Sequence, residues 1–153
     1  MTTINNCTLP EDLYFSVADN VWVRELPDGN LEIGMTDIAQ TMAGSIIHCR
    51  PKKTGAKVKK GKSVATVESG KWVGPVKSPF DGVIAERNDA VEADASVINR
   101  SPYKDGWIVR VTPSDKAADL AALVRGAEAS AGFQAYMQEH GVEGCIHCEG
   151  FEG

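Results

Sequence analysis

Apolar and polar positions change period several times along the chain, and the changes outline its elements. Val21-Trp22-Val23-Arg24 and Leu31-Glu32-Ile33-Gly34-Met35 read as two strands. Pro27-Asp28-Gly29-Asn30 between them is turn chemistry, so the pair forms a hairpin. Thr36 and Asp37 then mark a helix start, and Ile38, Ala39 and Met42 give it an apolar face that stops before Gly44. Trp107-Ile108-Val109-Arg110-Val111 is rich in strand formers. Two helices follow. Ser114 caps the first, Asp115 to Arg125, which shows Ala117, Leu120, Ala121 and Val124 on one face and has Gly126 at its C-terminal end. The second runs from about Glu128 to His140, with Phe133, Tyr136, Met137 and His140 at helical spacing and Gly141 after them.

The middle of the chain carries a weak internal repeat. Gly44-Ser45-Ile46-Ile47 begins a strand that leads to Val58-Lys59-Lys60-Gly61-Lys62-Ser63-Val64 and the strand Ala65-Thr66-Val67. Gly82-Val83-Ile84-Ala85 begins another, leading to Val91-Glu92-Ala93-Asp94-Ala95-Ser96-Val97. Two short similar β units predict a pseudo-twofold sandwich or flattened barrel, because neither half alone buries its apolar face. Between them lies Glu68-Ser69-Gly70-Lys71-Trp72. A lysine on a tight exposed turn between matched halves suits covalent attachment of a cofactor arm, and Gly70 permits a sharp bend there. Glu68 stands close enough in sequence to place a charge beside it. Among 16 basic residues an arbitrary lysine is a solvated surface group; position and neighbours set Lys71 apart. On this reading the protein carries a reactive group between enzymes and is not itself an enzyme.

Composition narrows the setting. At 153 residues, 42% hydrophobic and 24% charged, the chain has material for one domain with a real core. A net charge of −5 argues against general binding to nucleic acid or anionic membranes. No secretory signal or membrane-length apolar run is visible, so a cytoplasmic setting is expected, with its cysteines as free thiols. The run Lys52-Lys53 to Lys62 reads as a solvated loop or as a docking patch for an acidic partner. Residues 1–141 are expected to form the carrier domain, and 142–153 a mobile tail rich in Gly, Glu and Cys.

Five segments in order resemble the glycine cleavage system H protein and its lipoate-binding relatives, from about Pro10 to about His140. They are Pro10-Glu11-Asp12-Leu13-Tyr14-Phe15, Gly34-Met35-Thr36-Asp37-Ile38-Ala39-Gln40, Glu68-Ser69-Gly70-Lys71, Ser78-Pro79-Phe80-Asp81-Gly82, and Asn99 to Trp107 with its Pro102-Tyr103 and Gly106-Trp107. The resemblance implies a mainly β, lipoyl-domain-like fold (a barrel-sandwich hybrid) with peripheral and C-terminal helices. It also implies lipoate in amide linkage on Lys71, with Glu68, Ser69 and Gly70 completing the motif, and a lipoate-attaching enzyme as partner. Biotin carriers share the half-domain plan but place Met on both sides of the lysine, where this chain has Gly70 and Trp72.

The chain departs from the H-protein pattern at three places. Asn20-Val21-Trp22 replaces His-Glu-Trp, the bulky Trp72 follows the lysine, and the chain ends in Cys145-Ile146-His147-Cys148. These departures resemble lipoate-binding proteins of heterodisulfide-reductase-like sulfur oxidation. They imply a carrier of sulfur-bound groups or reducing equivalents that serves such a complex; the alternative is an aminomethyl carrier serving the glycine cleavage enzymes. Cys145 and Cys148 read as inert tail thiols, as a redox-active or sulfur-accepting pair, or as half of a zinc knuckle completed by His140 or His147. Cys49 reads as a small buried apolar residue, or as an activated thiol if exposed.

Overall fold

A computed structural model of the chain describes residues 2–153. Two antiparallel sheets enclose the main core. The larger is ordered β3-β4-β5-β11-β10-β7: β3 (Tyr14–Ser16), β4 (Val21–Glu25), β5 (Leu31–Met35), β7 (Lys57–Val58), β10 (Gly82–Arg87) and β11 (Val109–Pro113). The smaller is ordered β6-β8-β9: β6 (Ile46–Pro51), β8 (Ser63–Ser69) and β9 (Val73–Lys77). Strand alternation sorts the side chains. Val21 and Val23 of β4 and Leu31, Ile33 and Met35 of β5 meet Cys49, Val64, Val67 and Val76 from the smaller sheet.

A second core forms on the other face of β4, where Trp22 points away from its neighbours. It gathers Phe15, Ile38, Tyr103 and three residues of the long helix α5 (Gly126–His140): Ala129, Phe133 and Met137. A hairpin that the apolar pattern did not reveal, β1 (Thr2–Ile4) and β2 (Cys7–Leu9), closes this core with Ile4, Cys7 and Leu9. The first helix, α1 (Asp37–Ala43), starts as its sequence requires: Thr36 Oγ1 accepts from Ala39 N at 3.0 Å. The last helix ends at Gly141 in left-handed backbone, φ 69°.

Three expectations fail, the first for a local reason and the other two because distant segments meet. The second repeat unit is helical. Residues matching the β7–β8 stretch form α2 (Asp89–Ala93) and α3 (Ser96–Arg100), because Asn88 caps Ala90 N at 3.1 Å and the alanine-rich segment lacks a strand's β-branched run. The helix expected over 115–125 is only α4 (Lys116–Ala121), capped by Asp115 and not by Ser114. Its remaining turn is drawn out because Val124 and Phe15 exchange backbone hydrogen bonds of 3.0 and 2.7 Å.

The third failure concerns the tail. The segment after Gly141 is irregular but tied down. Cys145 is disulfide-bonded to Cys7 across a separation of 138 residues. Gln40 Nε2 donates to Ile146 O at 3.0 Å, Ile146 N to Thr41 Oγ1 at 3.1 Å, and Glu152 N to Arg100 O at 2.6 Å. His147 Nε2 lies 2.7 Å from the carboxylate of the fully buried Asp37 and stacks on Phe151 at 3.6 Å. The free-thiol expectation therefore falls for Cys7 and Cys145. So does the Cys145–Cys148 pair, because the fold brings Cys7 and not Cys148 to Cys145. With Cys145 bonded, the half-knuckle has lost a thiolate. No helix among the described residues is long and apolar enough to cross a membrane.

Candidate functional site

Lys71 stands at the tip of the β8–β9 hairpin. Glu68 and Val73 are its last paired residues, which leaves Ser69-Gly70-Lys71-Trp72 as the turn. Ser69 N donates to Trp72 O at 2.8 Å and closes it. The Ser69 side chain is buried beneath the turn; its hydroxyl accepts from Lys71 N at 3.4 Å and lies 3.5 Å from Trp72 O. The motif serine is thus a positioning residue for the lysine backbone.

The other two motif residues act differently from their expected roles. Glu68 points outward and sits 3.8 Å from His48 Nε2 on β6, an exposed cross-strand pair. Gly70 is outside the left-handed region, and a Cβ added to it would meet no atom within 4 Å. The bend is therefore made by ordinary backbone angles and by Ser69, not by glycine's freedom.

Glycine matters instead at Gly44, which ends α1 at φ 81°, ψ −161°. The Lys71 side chain lies across it: a Cβ there would stand 2.9 Å from Lys71 Cε. Beneath this contact, buried Asn99 donates to Gly44 O and Gln40 Oε1, both at 2.9 Å, and accepts from Ile46 N at 2.9 Å. Tyr103 plays a similar part at the start of α1, where its hydroxyl accepts from Asp37 N at 2.8 Å and donates to Thr8 O at 2.5 Å. Full burial pushes the Tyr103 phenol well above its ordinary value. The late Asn99 to Trp107 segment thus fixes the helix and strand on which the lysine rests.

Two clefts flank the turn. One, of about 270 Å³, is lined by Val21, Met35, Ala39, Met42, Trp72 and Tyr136 among others. Trp72 reaches it by lying against β9 at Gly74, where a Cβ would overlap the indole ring. The Asn20-Val21 departure lies here too, so apolar Val21 lines this wall. The other cleft, of about 490 Å³, runs between Lys71, Gly44 and Arg100 on one side and Ile146, His147 and Cys148 on the other. Spacing alone could not have found it, because its second wall is the tail. An exposed amine beside an apolar groove fits an aliphatic acyl arm: the nitrogen is open to acylation, and Met and Trp side chains can cover a hydrocarbon chain.

The remaining candidates separate by exposure. Cys49 is buried, and desolvation, aided by Glu92 and opposed by Arg87, pushes its thiol from 9.0 up to about 12; it is the inert residue of the two readings. Cys148 is exposed and free. The lysine run precedes Ser63, at the opposite end of β8 from Lys71, and one of its members, Lys60, donates its backbone N–H to Asp81 at 2.7 Å. Among the described residues no group of three or more His, Cys, Asp or Glu side chains is arranged to hold a metal.

Comparison with known proteins agrees with this fold. The sequence profile of the glycine cleavage H-protein family matches residues 13–136. Glycine cleavage system H protein 5 of Aquifex aeolicus is 46% identical over 147 residues, covering 94% of this chain and 99% of that protein. H protein 3 of the same organism is 43% identical, with 93% of this chain and 89% of that one covered. The crystal structure of a glycine cleavage system H protein from Mycobacterium marinum superposes with a TM-score of 0.71 at 28% identity, over 87% of this chain and 99% of that one.

Proposed function

The chain belongs to the glycine cleavage H-protein family, whose members are lipoyl carriers rather than enzymes, and from that premise we propose that Lys71 is the residue that bears lipoate in this protein. The observation that carries the proposal is the Lys71 turn itself: an exposed amine at a hairpin tip, held from below by Ser69 and by the Asn99-braced end of α1. Acylation by a lipoate-attaching enzyme turns the amine into a neutral amide. When bound, the group supplies a dithiol–disulfide couple able to hold a cargo on one sulfur. The chain's own residues do the rest. Ser69 orients the lysine backbone, and Met35, Met42 and Trp72 offer an apolar wall that keeps water from the arm.

The names of the relatives favour a carrier that serves the glycine cleavage enzymes; on this first reading its cargo is an aminomethyl group and its setting the cytoplasm. The sulfur-oxidation role, with heterodisulfide-reductase-like partners, is the second reading. It is supported by apolar Val21 and Trp72 at the arm's cleft and by the Cys148 thiol in the other. The similarity to two differently numbered H proteins of one organism also fits a specialised copy.

Peptide mass mapping of protein from its native host tests the attachment. The lipoyl increment is expected on Lys71 and is lost in Lys71→Arg, with no change in unfolding midpoint. An unmodified lysine in partner-competent protein overturns the proposal. Reconstitution with glycine decarboxylase and its aminomethyl-accepting partner separates the two roles: turnover supports the first reading, and failure by fully lipoylated chain supports the second.

A further inference from the structure

We propose that Cys148 is an intramolecular thiol partner of the arm on Lys71, forming a mixed disulfide with one of its sulfurs in the cleft beneath the C-terminal segment; this rests on Lys71 being the lipoyl site. Two independent observations meet there. The Lys71 side chain is folded over Gly44 into this cleft, with Cε only 2.9 Å from where a Cβ would stand. An arm continuing from that nitrogen starts between Gly44 and the tail. Cys148 lines the same cleft as a free, exposed thiol.

Its position is fixed from both sides. The Cys7–Cys145 disulfide and the Ile146 hydrogen bonds to Gln40 and Thr41 hold the chain just before it. His147, its immediate neighbour, is held by Asp37. After it, Phe151 N donates to Cys148 O at 3.2 Å and Glu152 N is bound by Arg100 O. No other cysteine competes: Cys7 and Cys145 are bonded to each other, and Cys49 is buried on β6.

The step is a thiol–disulfide exchange and needs no outside oxidant or reductant. Cys148, as thiolate, attacks one sulfur of the closed dithiolane. The ring S–S bond breaks as the bond from Cys148 to the arm forms. The second arm sulfur leaves as a thiolate and takes up the proton that Cys148 gave up. One disulfide replaces another, and the reverse attack recloses the ring. Tethering both sulfurs to one chain makes the exchange intramolecular, so it does not depend on protein concentration. The result is a parked arm with one thiol uncovered for a partner.

The test uses the full-length, lipoylated chain under non-reducing conditions, acid-quenched and digested. A peptide joining Cys148 to lipoyl-Lys71 is expected, absent in Cys148→Ser and retained in Cys49→Ser. Brief alkylation of the oxidised holo-protein should label Cys148 at least severalfold less than alkylation of Lys71→Arg. Equal labelling and no joined peptide, on chain whose intact mass carries the lipoyl increment, overturns the inference. A chain whose intact mass lacks that increment overturns the Lys71 reading instead.

Discussion

The two clefts beside the Lys71 turn are built from different materials. The smaller is made of the fold itself: strands β4, β5 and β9, helix α1 and the apolar side chains Met35, Met42 and Trp72. Its shape follows from the same burial that forms the core, so it should survive wherever the domain folds. The larger is closed by an irregular segment that buries little beyond Cys145 and is held by one disulfide and a few polar contacts. The contrast teaches that a carrier arm can meet two environments of different durability, one set by packing and one set by redox state.

The largest effect should come from breaking the tail's covalent tie. Cys7→Ser or reduction releases a cross-link spanning 138 residues and should lower stability by about 2–5 kcal/mol. Chemical denaturation with and without reductant checks this, and the double variant Cys7→Ser/Cys145→Ser should lose the reductant dependence. The smaller cleft should be unaffected, with Trp72 fluorescence unchanged in native conditions.

Next is Gly44, which lines the larger cleft beside Lys71. Gly44→Ala forces a side chain into backbone that glycine alone adopts readily, against Lys71 Cε, and should cost about 1–3 kcal/mol. Its thermal midpoint should fall and the lysine should become a poorer substrate for the attaching enzyme. A normal midpoint with normal lipoylation would show that the lysine does not rest on that glycine.

The thiols give a graded test. Folded Lys71→Arg chain, which bears no arm, should react at neutral pH with a thiol reagent at Cys148 alone, then at Cys49 as well once unfolded, and at all four cysteines only after reduction. Stability should also fall in alkali. The folded state keeps Cys49 protonated up to about 12, whereas the unfolded thiol loses its proton near 9.0. Between these values the folded state binds more protons, so stability declines as pH rises, and Cys49→Ala should flatten that slope. The smallest effect is expected for Gly70→Ala, within about 0.5 kcal/mol, with lipoylation intact, because neither space nor φ calls for glycine there.

Much was legible in the chain before its structure. The β4–β5 hairpin, the Thr36 cap, the end of α5 at Gly141 and the exposed Lys71 turn all follow from local rules: strand formers about a turn, a hydroxyl before a helix, a glycine after one. Those interactions link residues a few positions apart, so sequence order carries them. The family motifs were legible too, though not their reasons: Asn99 and Tyr103 are braces for α1, and Glu68 pairs with His48.

What local order could not decide were matters of distant meeting. Val124 left its helix because Phe15 offered a ladder partner. The second repeat unit is the exception: it became helical through the local cap of Asn88 on Ala90, which outweighed a resemblance in spacing. Cys145 found Cys7 rather than its near neighbour, and the tail then laid Cys148 across the cleft entered by Lys71. The sequence by itself determined the β4–β5 hairpin, the helix caps and the exposed Lys71 turn, because these rest on short-range pattern. The tertiary structure alone decided which thiol faces that lysine, because packing, not spacing, brings chain ends together.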